Sequence, residues 1–135
     1  MIKQAIIPLA GLGTRLLPLT SVFAKELLPI NGKPGIEYII DECIEAGIKE
    51  GATLVSGGSN APKGYNKGYY IEPTIFANVT NDMTIAKEEI FGPVLSILGY
   101  KDQEDAIKIA NETIYGLSGY ISSENIDNAN AVASR

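Results

Sequence analysis

The chain has 135 residues and a mass of 14.4 kDa, ordinary for one domain and short for two. With 45% hydrophobic and 20% charged residues and a mean hydropathy of +0.08, it carries enough apolar side chains to attempt a core and does not read as disordered. A net charge of −5 and a pI near 4.7 set up a field that repels nucleic acid and anionic membrane, so any anion site must be local.

A single cysteine, Cys43, excludes an intramolecular disulfide framework and a zinc cluster. The sequence has no histidine, which removes the Ser–His–Asp triad, the Cys–His dyad and any His-based zinc site. The opening MIKQAIIPLAG has too short an apolar run for a signal peptide and too many breakers for a membrane span, so the expected location is cytoplasmic.

In chain order, Ala5 to Leu9 suits a buried strand that feeds the glycine turn AGLGT. Lys25 to Ile30, KELLPI, is a second strand-like run closed by the turn NGKP. Pro34 then opens a helix, since proline is favoured in the first helical turn. Ile36, Ile39, Ile40, Cys43 and Ile44 recur at helical spacing as one apolar stripe, and Gly47 is placed to end the helix.

Beyond residue 50 the vocabulary changes. GATLVSGG predicts a short strand, SNAPKGYNKGYY a surface loop, and IEPTIFANV and PVLSILGY two further strands. Asp102 is placed to cap a helix running to about Thr113, with Ile107, Ile109 and Ala110 toward a core. LSGYIS reads as another strand, and Asn125 to Arg135 as the beginning of a second helix. The expected class is α/β: an incomplete three-layer-type arrangement of short strands and helices drawn from two different parent folds. Cut off from sheet neighbours that would cover both faces, such pieces are expected to give a loose structure or two poorly coupled halves.

The chemistry begins at PLAGLGTRLLPLT. Glycines after a strand let backbone N–H groups approach phosphate oxygens, and Arg15 adds a planar donor. The loop is not a dinucleotide fingerprint, because the third glycine would fall at Leu16, and no GK[ST] follows to make a P-loop. By spacing alone a tight turn is the commoner meaning of such a pattern.

Residues 1 to about 50, with AGLGTRLLPLT followed by AKELLPINGKPGIEYIIDECIEAGI, resemble the amino terminus of bacterial UTP–glucose-1-phosphate uridylyltransferases and the wider sugar nucleotidyltransferase family. The resemblance implies that Gly11, Gly13, Thr14 and Arg15 close over a nucleotide and that Lys25 contacts phosphate, with UTP or a sugar nucleotide as ligand. Read without it, Lys25 is a solvated lysine at a strand start. The family usually has Pro before this lysine where Ala24 stands here. It also implies Mg2+ held by aspartates further along the family's chain; Asp41 and Glu42, on a helix's polar face, do not replace them, and no metal ligand is assigned.

Residues 51–135, above all EEIFGPV from Glu88 to Val94, resemble the catalytic domain of the aldehyde dehydrogenase superfamily. That resemblance implies an NAD(P) cofactor, with Glu89 on the nicotinamide-side ribose and Phe91 beside the nicotinamide ring. The residue-level alternative is a glutamate at a helix end and a core phenylalanine. The family's nucleophilic cysteine, general-base glutamate and cofactor domain all precede this segment, so no catalytic residue is assigned and no cofactor is expected to be functional. Cys43 sits on an apolar stripe and is read as core.

The words GIKE fit both resemblances, which puts a junction near 47–50. Three readings follow: a non-catalytic chimera carrying a dehydrogenase portion behind a phosphate-binding loop, a residual UTP or sugar-nucleotide binding module, and a subunit competent only when docked on an intact dehydrogenase.

Overall fold

The computed structural model describes residues 14–21, 27–65, 67–68 and 70–135. The predicted strand Ala5–Leu9 and the site residues Gly11, Gly13 and Lys25 lie outside them. Two 3-10 turns, Thr14–Leu16 and Leu19–Ser21, come first.

Of the described part of the run KELLPI, residues 27–30, Pro29–Ile30 forms a strand (β1), paired antiparallel with Lys33–Pro34 (β2). The two-residue connection puts Asn31 at φ 51 and Gly32 at φ 84, the positive pair that a tight hairpin requires and that Asn-Gly supplies. The hairpin is lashed to the helix that follows. Lys33 bonds Asp41, lies 3.6 Å from Glu37 and sits 4.9 Å from the centre of the Tyr38 ring, while the Tyr38 hydroxyl donates to the carbonyl of Ile30 at 3.1 Å.

Helix α1 spans Gly35–Lys49 with Pro34 at its N-cap, as the sequence predicts. It does not stop at Gly47. Gly51, at φ +98, ends it: the Ala52 N–H donates to the Gly47 carbonyl at 2.9 Å and the Gly51 N–H to the Ile48 carbonyl at 3.2 Å, the paired bonds of a Schellman closure. Gly47 does different work. A Cβ there would lie 2.9 Å from Ile85 Cδ1 and 3.2 Å from Phe76 Cζ, so glycine sets how closely α1 approaches its neighbours.

A three-stranded sheet follows, in the order β3-β4-β5. β3 (Thr53–Gly58) runs antiparallel to the central β4 (Glu72–Val79), and β5 (Val94–Leu98) runs parallel to it, with Ile75 opposite Leu95 and Phe76 opposite Ser96. Between β4 and β5 lies the short helix α2, Thr84–Lys87. Thr74 is fully buried on β4 and satisfied: its hydroxyl accepts from the Gly58 N–H and donates to the Glu72 carbonyl.

The core joins Ile40 and Ile44 of α1 to Phe76, Val79, Met83 and Ile85. It therefore spans residue 50, and α1 packs on the sheet of the later portion, unlike the expected pair of poorly coupled halves. Ile36 flanks this core as predicted, whereas Ile39 is half exposed, because the inward stripe runs through Ile36, Ile40, Ile44 and Gly47.

Helix α3 (Gln103–Asn111) is capped by Asp102, whose carboxylate accepts from the Asp105 N–H at 2.9 Å, as expected. Its predicted inward residues are not in the core: no residue of α3 is buried, Ile107 and Ile109 are partly covered, and Ala110 is exposed. Helix α4 (Ile126–Ala133) is capped by Asn125 and clasped to α3 where Arg135 bonds both carboxylate oxygens of Glu104. LSGYIS is not a strand; Leu117 and Tyr120 are over nine-tenths exposed. An extended segment becomes a strand only with a hydrogen-bonded neighbour, and no described segment pairs with it.

Candidate functional site

The segment Glu88–Val94 owes its position to three local events. At Glu88 the backbone turns extended, φ −97 and ψ 145, which ends α2 after a single turn. At Gly92 the N–H closes back onto the Ile90 carbonyl at 2.9 Å, and a Cβ would sit 2.7 Å from two carbons of Ile40. Only glycine lets this turn rest on α1. The Pro93 carbonyl then accepts from the Thr74 N–H at 2.8 Å and delivers the chain into β5.

The outcome is an alternation. Ile90 packs against the core, while Glu89 and Phe91 on either side reach solvent, Phe91 at 42% exposure. Phe91 is thus not a core residue, and Glu89 lies beyond the last turn of α2. An exposed carboxylate and an accessible ring on a segment pinned at Gly92 and Pro93 are able to accept from hydroxyl groups and to lie against a flat ring. Next to them the Tyr115 hydroxyl reaches Glu88 Oε2 at 3.4 Å, a pairing across 27 positions that no motif in the sequence signals. Gly92 also escaped the sequence reading, although an FGP step between apolar runs does mark a turn.

Thr14 and Arg15 occupy an exposed 3-10 turn, and Ser21 closes the next one with its N–H and hydroxyl both on the Pro18 carbonyl. Among the described residues, no hydrogen bond or ion pair joins Arg15 to Glu89. Cys43 is half-buried on α1, and burial, then the negative charges of Glu42 and Glu88, push its thiol pKa up. A raised pKa leaves less thiolate, the opposite of what a nucleophile needs. Among the described residues no cluster of three or more acidic, cysteine or histidine side chains is placed to hold a metal, and no helix is long and apolar enough to cross a membrane.

The family model for the aldehyde dehydrogenase family matches residues 37–135, from the first turn of α1 onward. The chain belongs to the aldehyde dehydrogenase family. It is 58% identical over 104 residues to aldehyde dehydrogenase 1 of Tanacetum cinerariifolium, covering 77% of this chain and 20% of that protein. It is 50% identical over 100 residues to a 3-succinoylsemialdehyde-pyridine dehydrogenase of a Pseudomonas species, covering 73% of this chain and 21% of that one. In three dimensions it matches an aldehyde dehydrogenase from Bartonella henselae with a TM-score of 0.72 at 44% identity, over 76% of this chain and 22% of the other. A Mycobacterium tuberculosis aldehyde dehydrogenase complexed with NAD+ matches at 0.71 and 44%, over 74% and 20%. The chain spans about a fifth of the length of the curated relatives it matches.

A second family model, for nucleotidyl transferases, matches residues 4–62. The chain therefore has a two-part composition, a nucleotidyl transferase-like beginning and an aldehyde dehydrogenase body. The two matches overlap over 37–62, a stretch that holds most of α1 together with β3.

Proposed function

We propose that these 135 residues are a non-catalytic composite: an aldehyde dehydrogenase portion that keeps a cofactor-facing edge, joined near 47–50 to a nucleotidyl transferase-like opening. The observation that carries this reading is the pairing of an accessible Glu89 and Phe91 with a half-buried, high-pKa Cys43 as the chain's sole thiol. Glu89 would accept hydrogen bonds from the ribose hydroxyls of NAD(P), and Phe91 would lie beside the nicotinamide. A bound cofactor would supply hydride acceptance, but among the described residues no side chain is placed to attack an aldehyde first.

The overlap of the two family matches supports a join inside or just after α1. An amphipathic helix asks only for apolar residues on one face, so a helix borrowed from one parent satisfies the sheet of the other.

The test measures two quantities. Aldehyde with NAD+ or NADP+ should yield no reduced cofactor above the uncatalysed background. In proton–nitrogen NMR spectra, NAD+ should shift the amides of residues 88–94 in the wild type and much less in Glu89→Gln. Turnover abolished by Cys43→Ser would sink the non-catalytic reading, and unmoved amides would remove the cofactor edge.

The nucleotidyl transferase match and the exposed Arg15 favour a second reading, in which the loop Gly11, Gly13, Thr14, Arg15 with Lys25 binds UTP or a sugar nucleotide. UTP with magnesium should then slow proteolysis near Arg15 in the wild type and not in Arg15→Gln.

A further inference from the structure

The hairpin ahead of α1 carries a chemically reactive pair. Asn31-Gly32 is the one place in the sequence where glycine follows an asparagine. Both residues are exposed at the tip between β1 and β2. The backbone nitrogen of Gly32 and the amide carbon Cγ of Asn31 are the two ends of an unclosed five-membered ring. Glycine has no Cβ to hinder closure, and a Cβ built at Gly32 would meet nothing within 4 Å, so the tip is open to water.

The native turn holds those two atoms apart. Asn31 has φ 51 and Gly32 φ 84, the left-handed pair of a tight hairpin. Left-handed backbone has ψ of about +47°, which sets the Gly32 nitrogen trans to the Asn31 Cβ. Ring closure needs the same two atoms nearly eclipsed, so the hairpin has to open first. Its ties to α1 resist opening: Lys33 bonds Asp41 and lies 3.6 Å from Glu37, and the Tyr38 hydroxyl donates to the Ile30 carbonyl at 3.1 Å. The Gly35 N–H adds a bond to the Leu28 carbonyl at 3.2 Å.

We propose that Asn31 is a spontaneous deamidation site gated by this hairpin, converted only while β1 and β2 are apart. In the open chain the deprotonated Gly32 nitrogen attacks Asn31 Cγ. A new N–C bond forms, the Cγ–Nδ2 bond breaks, and the amide nitrogen leaves as ammonia after taking a proton from water. Water then adds to either carbonyl of the cyclic imide, leaving an aspartate or an isoaspartate at position 31 with no net oxidation or reduction.

Either product disturbs the hairpin. An isoaspartate routes the main chain through the former side chain and adds a methylene, which a two-residue connection does not accommodate. Both products place a new carboxylate two positions from Lys33, where it competes with Asp41 and Glu37. The ties at the first turns of α1 are lost, while the core at Ile40 and Ile44 lies further along the helix. Conversion is thus a one-way step confined to the hairpin, and it holds whether or not Glu89 and Phe91 take a cofactor.

The deciding experiment incubates the full chain at mildly alkaline pH and follows ammonia release, with mass spectrometry of the peptide that contains Asn31. Wild type, Tyr38→Phe, Lys33→Gln and Asn31→Gly are compared in buffer and in urea. Folded wild type should convert about tenfold more slowly than the same chain in urea, because only the open fraction reacts. Tyr38→Phe and Lys33→Gln, which untie the hairpin, should each raise the folded rate by about threefold and leave the urea rate unchanged. Asn31→Gly, which a tight hairpin accepts, should abolish the signal. If Lys33→Gln fails to fold, Tyr38→Phe carries the comparison. A folded chain that converts as fast as the unfolded one overturns the gating, as do untied variants that match wild type. An Asn31 that stays intact in urea, or ammonia that comes from other asparagines instead, overturns the site itself.

Discussion

Glu50 and Thr84 are joined by two hydrogen bonds across 34 positions: the Thr84 N–H donates to Glu50 Oε2 and its hydroxyl to Glu50 Oε1, both at 2.6 Å. Glu50 is the C-cap of α1, and Thr84 opens α2, whose first N–H groups have no partner within the helix. One carboxylate thus ties the end of the first-portion helix to the beginning of the short helix leading to Glu88–Val94.

Replacing Glu50 by alanine should lower unfolding stability by about 1 kcal/mol, the usual worth of a lost helix cap, with solvent exposure keeping it at the modest end. Urea denaturation gives the value. Amide exchange at Thr84–Lys87 should accelerate more than exchange in β4, because the loss is local to α2. An unchanged midpoint with unchanged exchange would mean that α2 does not depend on this carboxylate.

Gly47→Ala sets two effects against each other. Alanine is favoured over glycine in a helix interior by roughly 1 kcal/mol. The new methyl, however, would meet Ile85 at 2.9 Å and Phe76 at 3.2 Å. Ile85 can swing its terminal carbon aside, but the fully buried Phe76 ring has little room, and overpacking costs about 1–3 kcal/mol. The net expectation is a destabilisation of about 1 kcal/mol by thermal or urea unfolding; a stabilised variant would show that α1 is not held tightly on the sheet.

Cys43 should behave as an inert thiol. Burial, with Glu42 and Glu88 nearby, raises its pKa in the folded chain, so the thiolate that reacts with alkylating agents appears only at higher pH than for an unfolded cysteine. The alkylation rate, followed against pH, should rise at a higher pH in the native chain than in urea. Glu88→Gln should move the native profile part of the way back, as one negative charge is removed. A native thiol that reacts faster than the unfolded one near neutral pH would contradict the placement.

Local rules carried the sequence reading far. NGKP makes a turn, Pro34 opens a helix, Asp102 caps α3, and the β-branched and aromatic runs mark β3, β4 and β5. EEIFGPV pointed to the dehydrogenase body and GxGTR to the nucleotidyl transferase-like beginning, because close chemical requirements at fixed spacing leave a mark in the residues themselves. Each of these depends on residues a few positions apart.

What failed depended on partners far along the chain. Gly47 looks like a helix stop until Phe76 and Ile85 are set against it, and only the backbone turn at Gly51 ends α1. LSGYIS has strand composition, yet no described neighbour hydrogen-bonds to it. Ile39 belongs to the stripe by spacing, but the sheet covers a stripe shifted toward Ile36 and Gly47. The exposure of Glu89 and Phe91 on either side of an inward Ile90 likewise needed the tertiary structure, since it follows from Gly92 resting on Ile40 and Pro93 bonding Thr74. Composition and spacing determined which elements form and which families they resemble; packing between residues distant in sequence decided which faces are buried and which side chains are left free to act.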